Sequence, residues 1–307
     1  MIGARLVRRP GFAVVRAAKI EYCSAMEIQF KKMHGTLNDF VVLHDTNNEV
    51  HLTREQIVRV CDRRGGVGAD GIIVVRPSDS ADFFMDYMNS DGSLAEMCGN
   101  GIRCLAKYAY DNGLTKKTVL PVETRAGVKV VEIFTAADGT VDRVRVDMGK
   151  PLFQPEVIPV LIPGTGSPIQ DHPITALGRE LRATILSMGN PHCVIFVDED
   201  PDYFPAKFGP VLETHPLFPA KTNVEFVKVI DRARLKMRVW ERGSGETFSC
   251  GTGACASAVA GSLKGLTDSR AVVELLGGDL EIEWNGVDSS VLMTGTATLV
   301  YQGVITI

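Results

Sequence analysis

Apolar and polar positions along this chain switch between two periods, and the switches mark out its elements. Met26-Glu27-Ile28-Gln29-Phe30 alternates and predicts a strand; Met33 to Asn38 reads as a turn, and Phe40 to Leu43 as a buried strand. Thr53-Arg54-Glu55-Gln56 has the capping-box pattern with Ile57, Val58 and Val60 behind it, so a helix runs to about Cys61. Gly65 to Gly71 follows as a glycine loop. It leads into a strand and lacks the Lys-Ser/Thr ending of a phosphate loop, so it reads as a turn lining a cleft. Phe83 to Met88 predicts a strand, and the helix after Cys98 places Ile102, Leu105, Ala106 and Ala109 on one face, with Lys107 toward its negative end. That helix stops at Asn112-Gly113. A second helix, Gly253 to about Leu263, is apolar nearly all round and must be enclosed. Short strands are predicted at Val128–Phe134, Val141–Met148, Ile185–Met188, Arg238–Trp240, Val272–Leu276, Leu280–Trp284 and Val291–Thr296.

Both helices open on the same phrase, Cys98-Gly99-Asn100-Gly101 and Cys250-Gly251-Thr252-Gly253, with the cysteines 152 positions apart. At that offset Asn38-Asp39-Phe40 falls on Asn190-Pro191-His192, Gly71 to Val75 on Asn223 to Val227, and Asp86 to Asn89 on Arg238 to Glu241. Four segments in one register imply a duplicated unit, and the period is far too long for a solenoid. The expected fold class is α+β, with two pseudo-symmetric domains, each a curled mixed β-sheet around a central helix. The expected division is an N-terminal extension, 1–25; a first domain, 26–120 plus 296–307, bearing Cys98; and a second, 121–295, bearing Cys250.

Composition narrows the function. With 307 residues, 45% hydrophobic and 23% charged, the chain can build real cores, and a net charge of −4 supplies no basic field for nucleic acid. No apolar run approaches a membrane span. Seven cysteines, an odd number in a chain too long to need disulfide staples, point to reduced thiols and the cytoplasm. Zinc finds no ligand set, because Cys98/Cys104 and Cys250/Cys255 lack the usual spacer. Residues 1–25 hold Arg5, Arg8, Arg9, Arg16 and Lys19 against Glu21 alone and fall outside the repeat. They read as a mis-assigned start before Met26 or an extension, with organelle targeting, and hence a plastid, as the alternative.

A thiol at a helix N-terminus meets exposed N–H groups and the positive end of the dipole, which favour thiolate and bind anions. One such cysteine is an ordinary buried thiol beside a turn. Two suggest a base and an acid facing each other across one carboxylate-bearing substrate. Deprotonating an amino-acid α-carbon builds charge beside its carboxylate, and fixed N–H donors can stabilise that charge. No Schiff-base lysine with a pyridinium partner is apparent, so no cofactor is expected.

Met33-His34-Gly35-x-x-Asn38-Asp39-Phe40, Asn89-Ser90-Asp91-Gly92-Ser93, Met97-Cys98-Gly99-Asn100-Gly101-Ile102-Arg103-Cys104, Met188-Gly189-Asn190-Pro191-His192-Cys193, Thr222-Asn223-Val224-Glu225-Phe226, and Glu241-Arg242-Gly243 through Cys255 together resemble diaminopimelate epimerase, over Met26 to Ile307. The resemblance implies cofactor-independent interconversion of LL- and meso-2,6-diaminopimelate in lysine biosynthesis, by a homodimer. It makes Cys98 and Cys250 the two catalytic bases and assigns the backbone at Gly99, Asn100, Gly251 and Thr252 to the reacting carboxylate. By the same resemblance Glu241 holds the α-ammonium, Asn38, Asn89, Asn190, Asn223 and Arg242 fix the distal end, and His192 and Glu241 tune the thiols. Two positions depart from the family. Leu37 stands where glycine is common, which requires a turn without positive φ there, and Gly71 stands where many members carry glutamine. The alternatives are a histidine, proline or hydroxyproline racemase or epimerase on the same scaffold, a dithiol redox protein, and an amino-acid-binding module.

Overall fold

The computed structural model describes residues 27–162 and 166–307, so the expected N-terminal extension lies outside the described residues. The first unit opens with the hairpin β1 (Glu27–Gly35) and β2 (Asn38–His44), crosses through α1 (Arg54–Cys61) to β3 (Gly71–Arg76), parallel to β2, and returns along β4 (Phe83–Asn89). Then come α2 (Gly99–Asp111), β5 (Val119–Thr124), which lies parallel to β4, and the antiparallel β6 (Gly127–Thr135) and β7 (Val141–Asp147). Phe40 and Val42 of β2, with Ile73 and Val75 of β3, face Ile102 and Leu105 of α2. Val41, Leu43, Ile72 and Val74 face the other way, onto Ile57 and Val60 of α1. Because helices cover both faces, these strands read as continuous apolar runs. Each fully buried Ile, Leu or Phe contributes about 1.5–3 kcal/mol relative to exposure.

The second unit repeats the plan. β8 (Ile169–Ala176) and β9 (Arg179–Ser187) precede β10 (Pro191–Phe196), α3 (Pro205–Glu213), β11 (Asn223–Asp231), β12 (Arg234–Glu241) and the short β13 (Gly245–Glu246). Next are α4 (Gly251–Leu263), β14 (Arg270–Leu275), β15 (Gly278–Glu283) and β16 (Leu292–Thr296), and β17 (Thr298–Thr306) crosses back to pair with β1. β10 and β11 are parallel, as β2 and β3 are, and α4 begins and ends 152 residues after α2. After α4 the offset drops to 151: β7 begins at Val141 and β16 at Leu292. These two equivalent strands pair antiparallel, with Val144 opposite Gly295, and join the halves.

The sequence pattern missed several elements. The turn expected from Met33 to Asn38 is only Thr36-Leu37, since β1 runs on to Gly35. The pattern marks no strand at β5, β8, β10, β11, β13 or β17, and no helix at α3, whose Pro205, Gly209 and Pro210 hide its helical period. The boundary expected after residue 120 falls inside β5. β6 and β7 pack on α2, whereas α4 packs on β9 to β12, β14 and β15. Among the described residues no helix is long and apolar enough to cross a membrane.

Candidate active site

Cys98 and Cys250 occupy the same local position, the N-cap of α2 and of α4, with matching extended backbones (φ −139°, ψ 119° and φ −124°, ψ 105°). The Cys98 sulfur accepts the Gly101 N–H at 3.4 Å and lies 3.5 Å from Asn38 Oδ1; the Cys250 sulfur lies 3.5 Å from the Thr252 hydroxyl. Glycine follows each cysteine because the helix starts converge on one side chain. A Cβ on Gly99 would stand 2.7 Å from Met293 Cε, and one on Gly251 3.2 Å from Met293 Sδ. Polar contacts then stitch the two ends together. Asn100 Nδ2 donates to Ser249 Oγ at 3.2 Å and lies 3.3 Å from Asn38 Oδ1, while the Thr36 hydroxyl is 2.5 Å from Ser249 Oγ and 3.3 Å from Asn100 Oδ1. The N–H groups of the first turns have no partner within their own helices, so both anion-binding ends open on one place.

Helix ends were expected to favour thiolate, but burial dominates and pushes both thiols up. Their neighbours differ in sign. Around Cys98 the N–H groups of Gly101 and Asn100 and the Arg103 guanidinium pull back toward thiolate, against Glu241. Around Cys250, 4% exposed, the carboxylates of Glu241 and Glu225 add to burial, and only the Thr252 hydroxyl opposes them. Glu241 therefore acts on both sulfurs, and Thr247 Oγ1 donates to its Oε1 at 2.5 Å.

The remaining site candidates take up different positions. Asn38 donates to Asp70 Oδ2 at 2.7 Å, which leaves its Oδ1 toward Cys98 and Asn100. Asn89 donates to Ser93 Oγ at 3.0 Å. Asn223 spends its amide on loop closure, with Nδ2 on the Pro191 carbonyl and Oδ1 on the Arg242 N–H, both at 2.9 Å; the Arg242 guanidinium reaches the Ala220 carbonyl. His192 bonds neither sulfur: its ring nitrogens meet Glu225 Oε1 at 2.7 Å and Asn190 Oδ1 at 2.9 Å. Glu225 is 0% exposed, burial raises its pKa, and its Oε2 has no hydrogen-bond partner among the described residues.

The turn at Leu37 does not avoid positive φ. Thr36 (φ 49°) and Leu37 (φ 62°) both sit in the left-handed region, the turn that suits the twist of a two-residue hairpin. At Gly71 there is no room for a side chain, since a Cβ would lie 2.7 Å from the Tyr87 ring and 2.5 Å from the Met88 carbonyl oxygen. Sequence reasoning missed Thr36, Asp70, Arg103, Glu225 and Ser249. For Arg103 and Glu225 a signal existed: each is a lone charge inside an apolar run, Ile102 to Ala106 and Val224 to Val227.

Comparison with known proteins gives the family. A family model described as diaminopimelate epimerase matches residues 30–154 and 184–300. A diaminopimelate epimerase of Acetivibrio thermocellus is 50% identical over 277 residues, covering 90% of this chain and 98% of that protein. One from Methanococcus maripaludis is 48% identical over 280 residues, covering 91% of this chain and 100% of that protein. Among solved structures, a hydroxyproline epimerase from Agrobacterium vitis superposes with a TM-score of 0.64 at 16% identity, covering 91% of each chain. A phenazine biosynthesis protein of the PhzF family from Bacillus anthracis gives 0.63 at 17%, covering 92% of this chain and 100% of that one. At such identities these two likenesses speak for the α+β fold alone. The family match runs through both halves and both thiol-capped helices, and the chain belongs to the diaminopimelate epimerase family.

Proposed function

We propose that this protein inverts one α-carbon of 2,6-diaminopimelate, LL to meso, by a two-base mechanism in which Cys98 and Cys250 serve opposite faces of that carbon. The observation that carries the reading is the Asn100–Ser249 hydrogen bond, which ties the residue two places after one thiol to the residue before the other. In this reading the substrate carboxylate lies between the two helix starts, taking N–H bonds from Gly99, Asn100, Gly251 and Thr252. One sulfur removes the α-proton as the other delivers one from the far side, so the product is the mirror image at that centre. Glu241, which acts on both sulfurs, suits the α-ammonium between them, and the Asn38 carbonyl beside Cys98 faces the same space. Asn89, Asn190, Asn223 and Arg242 frame the distal amino-acid group, and His192, joined to Glu225, acts on the Cys250 side.

The test is LL-diaminopimelate in heavy water with no added cofactor. One deuterium at the inverted carbon and a meso product are expected, and Cys98→Ala and Cys250→Ala should each lose at least about a thousandfold in kcat, of the order of a deleted general acid or base. Full activity in either variant overturns the two-thiol reading, and faster turnover of histidine, proline or hydroxyproline overturns the substrate. The same reading takes the active form to be a cytoplasmic homodimer. β17 supports the dimer, because it leaves Leu299, Val300, Tyr301 and Val304 exposed on a strand that among the described residues pairs only with β1.

A further inference from the structure

One buried charge is not used by the mechanism above. Arg103, one turn into α2, is 0% exposed, and among the described residues no carboxylate pairs with it. Its donors end on neutral groups: Nε on the Thr296 carbonyl at 3.1 Å, Nη1 on the Gly99 carbonyl at 3.2 Å and Nη2 on the Thr36 hydroxyl at 3.4 Å. The backbones of β1 and β16 wall it in, since a Cβ on Gly35 would stand 2.8 Å from Nη2 and one on Gly295 3.1 Å from Nε. Two other enclosed arginines are treated differently. Arg76 holds Asp45 and Asp86, and Arg238 holds Asp202 at 2.7 Å.

An enclosed cation without an anion is strongly unfavourable, so the groups facing it are the place to look for one. The β1–β2 turn offers the Thr36 hydroxyl, and β16 a carbonyl and Met293 Sδ at 4.0 Å. The ionisable groups are the thiols of Cys98 and Cys104 on α2 and Cys255 on α4. Cys104 and Cys255 are fully buried and pushed up to about 12, which keeps them protonated. Burial pushes the Cys98 thiol up as well, but Cys98 is only half-buried and accepts a helix N–H, and Glu241 is the one carboxylate among the described residues that adds to the upward push. Cys250 faces carboxylates.

We propose that Arg103 is a positioning residue that ties the Gly35–Asn38 turn and the end of β16 to the first turn of α2 and places the resting negative charge on Cys98, with Cys250 as the thiol. This rests on the two-thiol reading and adds to it an order: before substrate binds, the Cys98 side is the base. Arg103 touches neither sulfur directly; it acts through the Gly99 carbonyl and through its field.

The experiment is iodoacetamide alkylation of the intact protein across a pH series, with each cysteine followed by peptide mass spectrometry. The pH midpoint, unlike the absolute rate, reports the charge of a thiol and not its accessibility. In the unmodified protein the midpoint of Cys98 should lie below that of Cys250. Arg103→Met should raise the Cys98 midpoint by about one to three pH units, leave that of Cys250 in place, and move the acid limb of kcat/KM by the same amount; Arg103→Lys should restore both. A lower midpoint for Cys250 in the unmodified protein overturns the proposal, even if Arg103→Met does not fold. So does a folded Arg103→Met whose Cys98 midpoint has not moved. The alkylation readout needs no turnover, so it can fail while the cysteine-to-alanine assays succeed, and the reverse.

Discussion

Leu37 shows how a single residue can carry strain that its neighbourhood tolerates. A side chain in the left-handed region costs about 1–2 kcal/mol, and Leu37 recovers little by burial, being 47% exposed. Glycine removes the clash but gives the unfolded chain more freedom, by about 0.5–1 kcal/mol. Leu37→Gly should therefore stabilise the protein by about 0.5–1 kcal/mol in urea titration, and Leu37→Val should destabilise it. A stability unchanged in the first variant would mean the turn is not strained. At this scale the candidate site is legible where residues repeat: Cys98 and Cys250, or Asn38 and Asn190, announce each other across the offset. Arg103 and Glu225 have no such double, and a lone charge in an apolar run marks the position without saying what the charge faces.

At the scale of elements, the β1–β2 hairpin is held by charge as well as by pairing. Asp39 meets Lys32 at 2.5 Å and takes two bonds from Arg63, at 2.8 and 3.0 Å. Burial alone would push its carboxyl up, but these cations hold it well below the usual carboxylate range. A carboxyl whose folded pKa is depressed stabilises the fold above its unfolded value, near pH 4, and loses that contribution as pH falls toward the folded value. Asp39→Asn should thus cost about 1.5–3 kcal/mol at neutral pH and progressively less below about pH 4, read from denaturant midpoints at several pH values. A cost independent of pH would show that shape, not charge, is what Asp39 supplies. Helices were the easiest elements to read: the Thr53–Gln56 capping box forms as its pattern implies, and α2 and α4 start at their cysteines. α3 and the edge strand β17 escaped because prolines and mixed polarity leave no period to find.

The molecule is a doubled unit in which a central apolar cluster is shared and each half keeps a further cluster of its own. Residues of α2 and α4 belong to the same apolar cluster, which Met293 and Met148 complete beneath the two helix starts. The doubling was legible because a repeat survives changes in surface and loops, whereas the packing of β6 and β7 on α2 depends on contacts that no local pattern records. The proposed homodimer is tested at this scale. Light scattering should give about twice the chain mass of 33.3 kDa, and Leu299→Glu combined with Val304→Glu should halve it; a single-chain mass for the unaltered protein would remove the dimer from the reading.

The seam between β7 and β16 has a further meaning. Val144 stands opposite Gly295, the residue that occupies its own place in the other copy, so the strand meets its twin head to tail as two identical subunits would across a rotation axis. The same two-fold relation sets Cys98 at the start of α2 against Cys250 at the start of α4, so each side of the site presents one thiol and one helix end.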